Sequence, residues 1–173
     1  MTRRAKNILA LVVLMALIAV IWMADAYRNR LPPIPEPSDA RALKSLPVIP
    51  VELPDGTRIA AEVAWTEHQK ETGLMYRSIV PPQTGLLIVH DKNDYQQIWM
   101  KNTFVNLDVI FIDADKRIVV VHPDVPAAGD QKDEDRIATR TGYGKYVLEM
   151  ATGEAHRLQI EKGMKLDFTL AAR

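Results

Sequence analysis

The segment that most constrains the fold is residues 107–122. Leu107-Asp108-Val109-Ile110-Phe111-Ile112 leads into Asp113-Ala114-Asp115-Lys116, and Arg117-Ile118-Val119-Val120-Val121 follows. Two short β-branched, apolar runs around a polar turn predict a β-hairpin buried on both faces at its centre. Such a hairpin needs further strands or helices to cover it. Upstream, Ile49, Val51 and Leu53 alternate with other residues, and so do Ile59, Ala61, Val63 and Trp65. Pro54-Asp55-Gly56 lies between them, where proline fixes φ and glycine accepts positive φ. A second hairpin is predicted there, with Pro50 suited to an edge strand. Thr66 and Gln69 have capping-box spacing, so a short helix should open at Glu67 and stop at Gly73.

The remaining elements are shorter. Strands are expected over residues 85–90 and 97–103, with Pro81-Pro82 breaking the chain before them. Residues 123–145 read as a long polar loop with Gly142 and Gly144 near its end, and residues 146–150 resume a strand. One helical turn is expected within 152–158, and a closing strand over 165–170. The fold class is therefore α+β and mostly β: a compact, barrel-like single domain with one or two short helices.

A transmembrane or signal helix precedes this domain. Arg3, Arg4 and Lys6 stand before an unbroken apolar run of 17 residues, 8–24, about 25 Å as a helix. The positive start predicts an anchor with its N-terminus inside, and Trp22 suits the far interface. Ala24-Asp25-Ala26 leaves a cleaved signal peptide as the alternative, but the run exceeds the usual h-region. Six of the eleven prolines follow between residues 32 and 50, which reads as a stiff tether. The expected organisation is an anchor or signal over 1–26, a proline-rich tether over 27–46 and a β-rich domain over 47–173. The domain would lie in the periplasm or extracytoplasmic space, anchored to the inner membrane or, if cleaved, secreted.

Composition narrows the chemistry. With 22 basic and 22 acidic residues the formal charge is zero, and no nucleic-acid partner is expected. The absence of cysteine removes disulfides, thiol nucleophiles and Cys-ligated metals. There is no G-x-S-x-G, P-loop, G-x-G-x-x-G or H-E-x-x-H motif. His68, His90, His122 and His156 fall on separate elements and read as solvent or structural histidines. The charged stretch 130–136 lacks EF-hand order and reads as a solvated loop. No cofactor or metal is expected; a thioether copper site using Met75, Met100 and a histidine is the weaker idea, since two scattered methionines are more often core filler.

The informative constellation is Trp99-Met100-Lys101-Asn102-Thr103 with Asp108. Along an extended strand Trp99, Lys101 and Thr103 would share one face, and Met100 and Asn102 the other. Asp108 opens an otherwise apolar strand and, if buried, needs partners; Lys101, Arg77 and Asn102 are candidates. These residues describe either a ligand pocket with a charged floor or a structural network.

Gly73-Leu74-Met75-Tyr76-Arg77, Trp99-Met100-Lys101-Asn102-Thr103, Leu107-Asp108-Val109-Ile110-Phe111-Ile112-Asp113 and Tyr146-Val147-Leu148-Glu149 occur in that order. Together they resemble the bacterial and archaeal domain of unknown function 192 family, over about residues 51–168. The resemblance implies a compact, β-rich domain, often exported, with no activity to carry over. The family's motif positions fall here on Met75, Arg77, Trp99, Met100, Lys101, Asn102, Thr103, Asp108 and Asp113. Many members carry cysteines after the long hairpin; this chain has none, so a redox or metal role resting on them does not transfer. The candidate ligand-binding or structural residues are Arg77, Trp99, Lys101, Asn102, Thr103, Asp108 and Asp113. The leading expectation is a non-enzymatic domain that binds a small ligand or partner protein, or serves as accessory subunit of a membrane complex. The alternative is an envelope-polymer hydrolase or lyase with Asp108 or Asp113 as acid/base and Lys101 or Arg77 stabilising charge.

Overall fold

The computed structural model describes residue 15 and residues 46–170. Backbone contacts divide the chain into Met1–Pro35 and Glu36–Arg173, and the fold below lies in the second unit. Apart from residue 15, the expected anchor or signal helix lies outside the described residues, as does all but the end of the tether. Among the described residues no helix is long and apolar enough to cross a membrane.

The first hairpin forms as its alternation dictates. Strand β1 (Val48–Glu52) pairs antiparallel with β2 (Arg58–Ala64), placing Val51 opposite Ile59 with both fully buried. Pro50 sits in β1, which pairs on one side only, where a missing ladder donor is tolerated. Gly56 takes φ 85° in the turn, and Asp55 accepts from the Thr57 N–H at 2.9 Å. Helix α1 (Glu67–Thr72) carries the complete capping box between Thr66 and Gln69 and ends at Gly73, φ 51°.

Strand β3 (Thr84–Trp99) corrects one expectation: the two predicted strands are one, 16 residues long. It runs parallel to β2 and antiparallel to β6, with a register irregularity between Val89 and Asp94. That irregularity lets polar residues 91–94 interrupt the pattern without ending the strand. The strand stops at Trp99. Asn102 then adopts φ 52°, and the Thr103 N–H donates to the Met100 carbonyl at 3.1 Å. Residues 99–103 therefore do not alternate between two faces as expected; a turn breaks the alternation.

The long hairpin forms as β4 (Leu107–Ile112), buried at every position, and β5 (Ile118–Val125). Strand β6 (Thr139–Ala151) begins seven residues before the predicted start, inside the expected loop. Gly142 and Gly144 read as loop residues, but they serve close packing. A Cβ on Gly142 would meet the Phe111 ring at 2.4 Å, and one on Gly144 the Ile112 carbonyl oxygen at 2.7 Å. The helical turn is α2 (Glu154–Arg157).

The result is a mostly-β single domain with a six-stranded mixed sheet, ordered β1-β2-β3-β6-β4-β5, and two short helices. The sheet is not closed, which corrects the barrel-like expectation: β1 and β5 are edges. The expected closing strand is reduced to isolated bridges, Glu52 to Asp167 and Arg117 to Lys165. The C-terminal segment thus touches both edges, and Phe168 packs edge-on against Tyr146 at 5.1 Å.

Each face of the sheet has its own core. Val51, Ile59, Leu87, Ile110, Leu148 and Met150 pack with Ala155, Leu166 and Phe168 on one face. Leu86, Ile88, Val109, Phe111 and Val147 pack with Leu74, Val80, Met100 and Ile137 on the other. The second face carries the site.

Candidate functional site

One row of residues crosses the second face at the same register. Glu62 of β2 is opposite Leu86 of β3, Leu86 opposite Glu149 of β6, and Glu149 opposite Val109 of β4. Glu149 therefore stands mid-sheet between two fully buried aliphatic side chains and is itself 4% exposed. Above it a cavity of about 180 Å³ lies between the sheet and α1 with its following turn. Glu67, Lys70, Glu71, Gly73, Leu74 and Met75 line it from above. Ile88, His90, Trp99, Thr103 and Glu149 line it from the sheet side.

The walls are tied to each other. The Tyr76 N–H donates to the Asn102 carbonyl at 2.8 Å, and Asn102 Nδ2 donates to the Tyr76 hydroxyl at 2.8 Å. Tyr76 and Asn102 both hold positive φ, 64° and 52°, a strained backbone that cross-bonding can maintain. The turn after α1 and the turn after β3, two of the motif blocks, are thereby fastened together.

Two buried polar atoms among the cavity-lining residues have no partner: Glu149 Oε2 and His90 Nε2. Burial pushes the Glu149 carboxyl up to about 7, against the opposing pull of the Arg77 charge and the Leu74 backbone N–H. Arg77 acts from a distance because its guanidinium grips Glu62 through both ends, at 2.8 and 2.6 Å. Burial also lowers the His90 pKa, reinforced by the charge of Lys70 and opposed by Glu67 and Asp91. A carboxyl poised near 7 can accept or donate a hydrogen bond, or move a proton.

The expected site residues divide. Trp99 and Thr103 line the cavity. Thr103 is buried and its hydroxyl donates to the Lys101 carbonyl at 3.3 Å. Lys101 lies over the Trp99 ring, 4.7 Å from its centroid, and pairs with Glu134 at 2.6 Å. Asn102 braces the wall. Asp108 is on the opposite face, level with Met150. It accepts from the Asp124 N–H at 3.0 Å and the Ala155 N–H at 2.8 Å, and none of Lys101, Arg77 or Asn102 is its hydrogen-bond partner. Asp113 is in the hairpin turn, accepting from the Asp115 and Arg117 N–H groups. No group of three or more His, Cys, Asp or Glu residues able to hold a metal occurs among the described residues.

Sequence reasoning missed Glu149 and His90. The available signal for Glu149 was the one applied to Asp108, a lone carboxylate inside an apolar strand run, here residues 146–150. For His90 the signal was weaker: it follows the apolar run 86–89 at the point where the strand pattern turns polar.

The sequence profile described as "Uncharacterized ACR", DUF192, matches residues 51–168, and the chain belongs to that family. Two crystal structures resemble it. A proposed transcription regulator from Sinorhizobium meliloti 1021 is 30% identical, covers 72% of this chain and 95% of its own, and superposes with TM-score 0.63. A protein of unknown function from Novosphingobium aromaticivorans DSM 12444 is 26% identical, covers 70% and 84%, and superposes with TM-score 0.59. No curated protein matches the chain.

Proposed function

We propose that this DUF192 chain is a membrane-tethered extracytoplasmic domain that binds a small ligand in the cavity beneath α1, without catalysing its conversion. The observation carrying this reading is Glu149 Oε2, a buried carboxylate oxygen with no partner, on a residue that lines the cavity. Burying an unpaired polar group is expensive, so such an atom marks a place for an external partner. The apolar run 8–24 behind Arg3, Arg4 and Lys6 supports the tether. The role in transcription proposed for the relative from S. meliloti is not adopted, because residues 27–173 carry two more acidic than basic residues.

The envelope-polymer hydrolase or lyase reading finds less support. Asp108, Asp113, Lys101 and Arg77 are each held by other groups of the protein. Native mass spectrometry of the full-length protein in mild detergent tests the binding reading. A stoichiometric small molecule, absent from a still-folded Glu149→Leu variant, is the expected result. A ligand-free chain carrying only a protein partner would replace it with the accessory-subunit reading.

A further inference from the structure

Resting on that binding reading, we infer that the guest is a small molecule bearing a protonated amine, whose ammonium donates to Glu149 Oε2 at the cavity floor.

Charge, walls and size converge on this class. Glu149 contributes an acceptor from the floor, and Glu67 and Glu71 line the cavity from α1. The cations nearby are already engaged: Lys70 with Glu67 at 2.6 Å, and Arg77 with Glu62. An anionic guest would meet carboxylates with no free cation among the described lining residues to offset them, while an ammonium supplies the missing donors and the missing charge together. Trp99, 42% exposed, and Met75 provide an aromatic and thioether wall for an apolar body. The Lys101 ammonium already lying over the Trp99 ring illustrates that ring's affinity for cations. About 180 Å³ is comparable to a cavity that admits benzene, so a guest of roughly six to ten heavy atoms fits.

His90 supplies a second handle. It lies four residues beyond Leu86, the position opposite Glu149, so the two backbones are about 13 Å apart along the strand. Its unpartnered Nε2 would meet a hydroxyl or amide at the far end of the guest. The titratable groups on this side of the sheet are the Arg77–Glu62 pair, with Glu62 two strands from Glu149, Glu67, Lys70 and Glu71 from α1 and His90 on β3, and His122 on β5 against Phe111. Of their charges, that of Arg77 acts on the Glu149 carboxyl. β4 presents only Leu107, Val109 and Phe111 to that face. An ammonium favours the ionised carboxyl, so proton and guest compete for Glu149. Affinity should weaken about tenfold per pH unit below the carboxyl's pKa.

The test titrates the full-length protein in detergent with n-butylamine, n-butanol and butyrate, reading the Trp99 indole and Leu74 amide resonances. The expected result is amine binding at least tenfold tighter than butanol, weakening on acidification below neutrality. In Glu149→Gln the amine preference and its pH dependence are lost while the spectrum stays that of the folded protein. Equal or tighter binding of butanol or butyrate would overturn the amine class and leave the binding reading standing. No response to any probe would overturn both.

Discussion

Asp108 and Glu149 are neighbours across the β4–β6 ladder, one register position apart, and both are buried. They stand on opposite faces of the sheet and do opposite work. Asp108 lies where the β4–β5 register slips between Leu107 and Val109, at a bulge that includes Pro123 and Asp124. Its two oxygens take the Asp124 and Ala155 N–H groups, pinning the end of β5 and the start of α2. Glu149 has an oxygen that nothing among the described residues satisfies. A carboxylate satisfied by backbone donors stabilises the fold around it; one left open beside a cavity stabilises only a complex.

The largest expected effect tests the structural half of that contrast. Asp108→Ala removes two hydrogen bonds to a buried charged group and leaves two N–H groups without partners. It should lower unfolding free energy by about 3–5 kcal/mol. Urea unfolding checks this. Loss of ligand binding with unchanged stability would instead make Asp108 part of the site.

The next effect concerns Glu149 and has a sign that pH reveals. The folded state holds the proton to about pH 7, whereas the ordinary value is 4.5. Stability should therefore fall as pH rises from about 4.5 to about 7, by about 3 kcal/mol, and then level off. His90 acts in the other direction: below its ordinary 6.5 the unfolded chain gains a proton that the folded chain resists. Comparing wild type with Glu149→Gln at each pH isolates the carboxyl, since His90 is common to both. A difference that does not change between pH 5 and pH 8 would mean that Glu149 is not desolvated.

How much could be read beforehand follows the range of the interactions involved. The β1–β2 hairpin, the capping box of α1 and the β4–β5 hairpin rest on neighbours in sequence, and all three were legible. The early start of β6 was not, because Gly142 and Gly144 look like loop residues until Phe111 and Ile112 are placed against them. The merged β3 needed β6 as its template, so one error produced the other. At the site, Trp99 and Thr103 were legible from their motif. Asp108 was correctly singled out as a buried carboxylate needing partners, but its partners are backbone amides distant in sequence. Glu149 was hidden because its importance lies in an unmet bond, visible only once every nearby donor is located.

Gly142→Ala sharpens the same point on the packing side. Its Cβ would fall 2.4 Å from Cγ of Phe111, a fully buried ring. Strand or ring must shift, at a cost of about 1–3 kcal/mol. Thermal unfolding with a crystal structure of the variant would measure both. An unchanged melting temperature would show that the approach of β6 to β4 is looser than these distances require.

The smallest effect separates the roof of the cavity from its floor. Thr66→Ala removes the hydroxyl that accepts from the Gln69 N–H at 3.2 Å, and leaves Gln69 Oε1 bound to the Thr66 N–H at 3.0 Å. Half a capping box remains, so the loss should be about 1 kcal/mol. Because α1 is only six residues long and has no fully buried residue, that loss should appear as fraying of the helix, read by amide hydrogen exchange over residues 67–72. Glu67, Lys70 and Glu71 line the cavity from this helix, so amine affinity should weaken a few-fold while the Glu149 pH dependence of stability persists. Faster exchange in α1 with unchanged affinity would assign recognition to the sheet side alone, to Glu149, His90 and Trp99.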